Sequence, residues 1–490
     1  MIASSLSTRL SERIRTVARK FPKAIGKSKL STNKGTQSDN GRDIVILFAD
    51  VVGCSEISNH LILKDYSKFI TGFQECFERV CKYYKDNAYE KSESDFFQFN
   101  ARGDEGCLKI FIAKSEEDLA RDVDVAISIA LDLKKMWLFS ERNRDRIKKE
   151  KLLPVELAIG IHMGKVWLKD DGQPEGYAIN LAKRIESASR DGKFTHIFVS
   201  EAAHGQLYYH KDERVYKFTD TFPIPTKGIS QEIRVVEVKH HFLPTDWQDV
   251  VEEEPWEISM VYPELVQEDI LSIAQRSYQL NPTNLWLAEE YLLLTMMDAY
   301  RKTVEQNKKG DIKYLEKMGY GKALEIAQRI ANSDLRNGTL LSEWGLILGE
   351  LERYEEEEEK YREAIRLEES DPDFHWYLGL CLSYKIARDI ENDGLTLEAF
   401  YKEQKNRVDE VLREYKLALD LSPMNPWIAY IYACELSHWS QADIDLRERA
   451  VELLVRALGQ NSDIRDWAKD EDYLKPIIED PRIKKCLGSK

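Results

Sequence analysis

The sequence predicts an α+β fold, with a ferredoxin-like βαββαβ domain followed by an all-α helical repeat domain. Three observations predict it. Over residues 43–240, short apolar runs alternate with stretches of helical periodicity. Residues 241–266, "HFLPTDWQDVVEEEPWEISMVYPELV", break that pattern with three prolines, an acidic run, Trp247 and Trp256. From 267 to 490 almost every segment has helical periodicity, and the chain is weakly self-similar.

Each element can be justified in order. "DIVILF" is a continuous apolar run, as for a buried strand. "YSKFITGFQECFERVCKYY" sets Phe69, Phe73, Phe77, Val80 and Tyr84 on one helical stripe. "DFFQFNARGDEGCLKIFIA" reads as two strands joined by a tight turn at Arg102–Gly106. "EEDLARDVDVAISIALDLKKMWLF" is a long amphipathic helix. "PVELAIGIHMGKVWL" alternates and is expected to turn at Gly164 as another hairpin. "YAINLAKRIESASRDG" is a helix ending at Gly192, and "HIFVS" and "EIRVVEVKHH" are later strands. A sheet of this order packs its helices on one face, which leaves the other face and the strand-end loops for a ligand or partner.

The break at 241–266 reads as a junction that packs, because flexible linkers seldom carry tryptophan. In the helical half, "EKYREAIRLEESDPDFHWYLGLCL" and "REYKLALDLSPMNPWIAYIYACEL" both read Tyr-x-x-Ala, then Pro, then Trp. This resembles the tetratricopeptide repeat of paired helices, with "ARDIENDGLTLEAFYKEQKNR" inserted between units and "DWAKDEDYLKPIIEDPRIKKCL" closing the array. Trp344, Trp376 and Trp427 are expected in the helix-packing core. The run "EEEEEK" at 355–360 is expected to be a solvated helix face.

Composition narrows the function classes. A net charge of −15 argues against broad nucleic-acid binding, which needs cations against phosphates. No apolar run reaches membrane-spanning length. Residues 1–42 hold ten Lys/Arg against two acids and read as a short amphipathic helix on a disordered tether. The seven cysteines show no pairing pattern and no zinc-ligand spacing, which fits a reducing cytoplasm.

Two acidic positions carry the candidate chemistry. Asp50 ends the first strand in "FADVVGCSEIS", and Asp104 sits in the turn of the central hairpin. In a βαββαβ sheet the first strand lies beside the third, so that turn passes close to the first strand's exit. Two carboxylates there suit divalent metals bridging a polyphosphate. Free N–H groups at the start of the helix after Gly53 suit the phosphates. In "EGYAINLAKRIES", Asn180 and Arg184 lie one turn apart on one helix face, with Ile179, Ala182 and Ile185 toward the core. A neutral amide and a planar cation suit a ribose and a charged phosphorus centre.

Together these stretches resemble the class III nucleotidyl cyclase catalytic domain, the adenylate/guanylate cyclase superfamily. "FADVVGCSEIS", "RGDEGCLKIF", "AIGIHMGKV", "GYAINLAKRIES" and "PTKGISQEIRVVEV" match its motifs in the family's order over about 43–240. The resemblance implies attack of a ribose 3′-hydroxyl on the α-phosphorus of a nucleoside triphosphate, giving a cyclic monophosphate and pyrophosphate. It implies that Asp50, Asp104 and the Val51 carbonyl bind two Mn²⁺ or Mg²⁺ ions. Asn180 then orients the ribose, Arg184 stabilises the transition state and Lys227 contacts the triphosphate. Phe48, Gly53, Cys54 and Ser55 are further expected substrate contacts. In the family these groups come from opposite subunits, so a homodimer with shared sites follows.

The departures bear on the base. Where adenylate cyclases usually place lysine and guanylate cyclases glutamate, four residues before the second metal aspartate, this chain has Asn100. The second base-reading position falls near Gln173. A site built to hydrogen-bond one base rejects another strongly. The sequence is similar to the bacterial pyrimidine cyclases of the Pycsar anti-phage systems, which often carry a turn like Gly103-Asp104-Glu105 and a C-terminal extension. That resemblance implies UTP as substrate and cyclic UMP as product. Cyclic CMP, a conventional adenylate cyclase with a repeat regulator, and a silent nucleotide-binding sensor are the alternatives. The helical half is expected to detect a phage-derived or peptide ligand or to restrain the cyclase dimer.

Overall fold

The computed structural model describes residues 41–60, 63–89, 97–111, 116–169, 174–209, 216–225, 232–241, 267–305, 319–333, 337–461 and 464–488. The basic start, Gln173, Lys227 and almost all of the expected junction lie outside the described residues.

The first half is organised around one strand. β1 (Gly41–Val51) alternates Val45, Leu47, Ala49 and Val51 toward one face with Ile44, Ile46 and Phe48 toward the other, and all are buried. A strand covered on both sides needs an unbroken apolar run, which is why "DIVILF" does not alternate. α1 (Cys54–His60) and α2 (Leu63–Ala88) follow, then the hairpin β2 (Phe97–Arg102) and β3 (Glu105–Phe111). Gly103, at φ 63°, opens the two-residue hairpin turn, and Asp104 is absent from the positive-φ residues; glycine first with φ > 0 is the type II′ pattern.

α3 (Glu116–Leu138) crosses back to β4 (Leu157–Leu168), then come β5 (Pro174–Glu175), α4 (Tyr177–Ser189), β6 (Ile197–Ser200), β7 (Tyr216–Phe218), β8 (Phe222–Ile224) and β9 (Ile233–His241). The sheet order is β2-β3-β1-β4-β6-β9-β7, with β5 on β4 and β8 on β9. Its β2-β3-β1-β4 half is antiparallel throughout, as the ferredoxin-like order requires.

Two expectations are corrected here. No hairpin forms at Gly164; β4 runs straight through it, with Gly164 opposite Ile44. The glycine serves packing instead, because a Cβ there would lie 2.9 Å from Ala178 Cβ on α4. Nor are the helices confined to one face. α2 and α3 cover one side, while α4 packs on the other against Ile44, Ile46, Phe48 and Val166.

Among the described residues the second half is helical. Its helices are α5 (Gln267–Leu280), α6 (Leu285–Glu305), α7 (Gly321–Ala331), α8 (Gly338–Glu350), α9 (Tyr354–Leu367), α10 (Pro372–Asp393), α11 (Leu397–Leu421), α12 (Pro426–Trp439), α13 (Leu446–Gln460), α14 (Ile464–Asp470) and α15 (Pro481–Gly488). Consecutive helices pack on one another, α8 on α9, α10 on α11 and α12 on α13, and α15 closes on α13. The segment expected as an insertion between units is helical. It lengthens α10 and α11, which meet at Gly394 (φ 60°) and the Thr396 cap. Trp376 is buried, and Trp344 and Trp427 pack against the cores as expected.

The two halves share a core. Leu138, Phe139 and Ile147 from around the end of α3 sit in one apolar cluster with Ile270, Trp286 and Leu292 of α5 and α6. Burying each such side chain is worth about 1.5–3 kcal/mol. Polar contacts flank the seam: Lys148 pairs with Asp269 at 2.7 Å, Lys217 with Asp371 at 2.6 Å and Lys239 with Glu368 at 2.6 Å.

The acidic run at 355–360 is only partly solvated. Glu357 falls on the inward stripe of α9 with Tyr361 and Ala364, and it is buried against Gly349. Burial raises its carboxyl to about 8 and raises that of Glu435 on α12 to about 7, from an ordinary 4.5. The folded chain therefore keeps protons that the unfolded chain has lost. Stability conferred by the helical half should fall as pH rises from about 4.5 to about 8, and level off above. Urea unfolding followed across that range checks this; Glu357→Gln should flatten the slope, and an unaltered slope would contradict the assignment.

Candidate functional site

The site assembles where β1 leaves the sheet. In the ladder Asp50 lies opposite Glu105 of β3 and Ala158 of β4. Beyond it two backbone bonds hold the exit: Val51 N–H donates to the Asp104 carbonyl at 3.2 Å, and Val52 N–H to the Glu156 carbonyl at 3.0 Å. The hairpin turn is thus fastened to the strand exit, which brings Asp50, Val51 and Asp104 together. Gln74 of α2 supports the turn from outside by donating to the Gly103 carbonyl at 3.1 Å. After Val52 the chain turns at Gly53 (φ 72°), a backbone state open to glycine.

Directly opposed residues of an antiparallel sheet share a face. Asn100, Cys107 and Phe48 form one row across β2, β3 and β1, and Arg102, Glu105 and Asp50 form the next. Asn100, Phe48 and Asp50 therefore lie on one face, the face α4 partly covers. Asn100 is exposed and Phe48 is buried beneath α4. Cys54 is buried with its Sγ 3.4 Å from the Tyr66 hydroxyl, and burial raises its thiol to about 11, so it stays protonated at neutral pH. Ser55 is exposed at the start of α1, a helix of seven residues.

α4 is seated closely because β4 offers Gly160 beneath it. A Cβ at Gly160 would lie 2.1 Å from the Glu186 backbone nitrogen. Asn180 is exposed and Arg184 half-buried on this helix, while Ala178, Ala182 and Ile185 are buried toward the sheet.

The face of α4 nearest Asp50 holds residues that sequence reasoning missed. Arg190 pairs with Asp50 and, at 3.3 Å, with Glu186; Lys183 pairs with Glu105 and, at 2.8 Å, with Glu186. Glu186 itself is fully buried. Burial and then the Glu186 and Asp104 carboxylates raise Asp50 to about 6, against the opposing pull of Lys183 and Arg190. Four carboxylates, Asp50, Asp104, Glu105 and Glu186, stand here against two cations, Lys183 and Arg190. That excess, with the Val51 carbonyl on the same loop, fits a divalent cation. Among the described residues no cluster of three or more His, Cys, Asp or Glu forms a metal cage. The only signal in the sequence for Lys183, Glu186 and Arg190 was their helical spacing, which any solvated face also shows.

His162, from the Gly-Ile-His motif, is buried with Nδ1 2.9 Å from the Ser200 hydroxyl. Burial lowers it to about 4, so it is neutral and structural.

Comparison with known proteins bears on this geometry. The family described as Adenylate and Guanylate cyclase catalytic domain matches residues 36–243, which includes every strand described above. This segment is a class III cyclase catalytic domain. Cyclase domains of this class use divalent metal ions, in keeping with the acid-rich exit of β1. Among solved structures, the chain is similar to the guanylyl cyclase Cya2, at 20% identity over 40% of this chain and 92% of the other, TM-score 0.30. It is also similar to a bacterial light-regulated adenylyl cyclase, at 15% identity over 42% and 96%, TM-score 0.30. A third likeness is to YrrB, a TPR protein with an unusual peptide-binding site, at 16% identity over 44% and 86%, TM-score 0.25. Similarity of this degree carries no argument about substrate or mechanism. No curated protein matches the sequence.

In the cyclase domain, Gly160 should be indispensable to the seating of α4. Gly160→Ala is expected to cost about 3 kcal/mol, because the obstructing atom is backbone and no rotamer change relieves it. A melting curve, with hydrogen exchange faster in 177–189 than in 116–138, checks this; an undisturbed α4 would contradict it.

Proposed function

We propose that this chain is a uridylate cyclase, converting UTP to 3′,5′-cyclic UMP and pyrophosphate as a cytoplasmic second-messenger generator in bacterial anti-phage defence of the Pycsar type. The observation that carries the enzymatic part is the fastening of the Asp104 turn to the Asp50 exit through Val51 N–H. It fastens two acidic positions, distant in sequence, side by side at the end of β1.

In this reading the ribose 3′-oxygen bonds to the α-phosphorus, and the bond from that phosphorus to the bridging oxygen of the leaving pyrophosphate breaks. The 3′-hydroxyl proton passes to solvent. Two Mn²⁺ or Mg²⁺ ions would neutralise triphosphate charge and favour the ionised 3′-oxygen. Asp50, Asp104 and the Val51 carbonyl hold them, which requires Arg190 to release Asp50. Asn180 orients the ribose and Arg184 absorbs charge developing at phosphorus. Lys227 contacts the triphosphate, and Gly53 and Ser55 line its path, with the Phe48 and Cys54 side chains buried behind them. A homodimer lets the Asn180/Arg184 face of one subunit meet the Asp50/Asp104 edge of its partner.

Base choice rests on Asn100 and Gln173. Asn100 is exposed on the face that carries Asp50, and an amide offers both donor and acceptor to a pyrimidine edge. The helical half, joined to the end of α3 by a common core, is proposed to sense a phage-derived or peptide ligand.

Incubating the protein with each of the four NTPs and Mn²⁺, and identifying products by mass spectrometry, tests the reading. Cyclic UMP is expected. A cyclic CMP or cyclic purine product would overturn the base assignment, and no product from any NTP would overturn the enzymatic one. Asp50→Ala and Arg184→Ala should each abolish turnover. Mixed from unfolded subunits in equal amounts, they should recover roughly a quarter of wild-type activity, since half the dimers then hold one intact site. No recovery would argue against shared sites.

A further inference from the structure

The loop that leaves β1 is held from two sides, and one of them leads out of the cyclase domain. Val52 N–H donates to the Glu156 carbonyl at 3.0 Å, just past the last ladder pair, Val51 with Leu157. The Glu156 carboxylate is divided. One oxygen accepts from Asn284 Nδ2 at 3.1 Å, and the other from Lys134 Nζ at 3.3 Å. Lys134 is buried; it also donates to the Thr195 carbonyl at 2.5 Å and lies 4.9 Å from the centre of the Trp286 ring.

Asn284 is itself fixed. It caps α6, its Oδ1 accepting from Leu287 N–H at 3.0 Å. Its amide therefore faces two ways, the oxygen into the helix start and the nitrogen to Glu156. The residue before Glu156 is equally constrained, since Trp137 Nε1 donates to the Val155 carbonyl at 2.7 Å and Val155 N–H to Asn143 at 2.8 Å. Glu156 thus joins a rigid helix cap of the second half to the turn beside Asp50 through one side chain and one carbonyl.

We propose that Glu156 and Asn284 are positioning residues for the cation site, through which docking of the helical half sets the placement of the Asp50–Gly53 turn. This rests on the reading of Asp50 and Val51 as metal ligands. The route is short and covalent except at two hydrogen bonds, Asn284 to Glu156 and Val52 to Glu156. A shift of α6 against α3 would move the Glu156 carboxylate, and its carbonyl with it. Lys134, held to Thr195, limits how far the carboxylate can stay behind.

Substitutions at 284 test this in the full-length protein. Asn284→Ser keeps a cap for α6 but cannot reach Glu156. Asn284→Asp keeps the cap and sets a carboxylate against that of Glu156. The readouts are hydrogen exchange of the Val51–Gly53 amides and Mn²⁺ affinity by electron paramagnetic resonance, with no nucleotide present. Asn284→Asp should speed exchange at 51–53 and weaken Mn²⁺ binding, each roughly tenfold, with Asn284→Ser intermediate. Adding Glu156→Gln to Asn284→Asp should restore most of both, because the repulsion is gone. Exchange and affinity within twofold of wild type in Asn284→Asp would overturn the proposal, as would an unrestored double variant. If the wild type binds no Mn²⁺ in an Asp50-dependent manner, the cation site itself is wrong, and the exchange readout alone still decides the linkage.

Discussion

Everything at the candidate site depends on where β1 stops. It is the central strand of the antiparallel half-sheet, with both faces buried and both edges paired, so its position is not adjustable. An aspartate at the end of such a strand inherits that rigidity while escaping full burial. The two backbone bonds past Asp50, one to the hairpin turn and one to the start of β4, convert a strand end into a defined loop. A carboxylate on a flexible loop would be spread over many positions by conformational entropy; here the fold has already fixed its backbone.

The second constraint is charge. Asp50, Asp104, Glu105 and Glu186 crowd one edge, and Lys183 and Arg190 answer them. Burial first, and then the neighbouring carboxylates, hold Asp50 above the usual carboxylate range. Arg190, the counter-ion of Asp50, is mounted on the helix end rather than in the sheet. A divalent ion brings twice its charge to the same carboxylates and needs no side chain to be ordered.

Much of this was legible in the sequence, for identifiable reasons. An unbroken "DIVILF" has only one comfortable setting, and glycine before Asp104 has a restricted menu of turns. Asn180 and Arg184 declare a shared helix face by spacing alone. What stayed hidden depends on register and on distant partners. That Glu105 lies opposite Asp50, and that Asn284 reaches Glu156, follows from packing between segments far apart in the chain. Gly164 was misread because glycine marks turns and close approaches alike. Glu357 was misread because a run of like residues conceals which member lies on the inward stripe.

The cluster shared by Leu138, Phe139, Ile147 and the first helices of the second half has a temporal side. A ribosome releases the sheet strands long before α6 exists, so the end of α3 must wait in water, sticky and unclothed. The main cores of the N-terminal half need nothing from the second half, but this patch does. That last stretch of apolar surface is covered by a segment translated more than a hundred codons later.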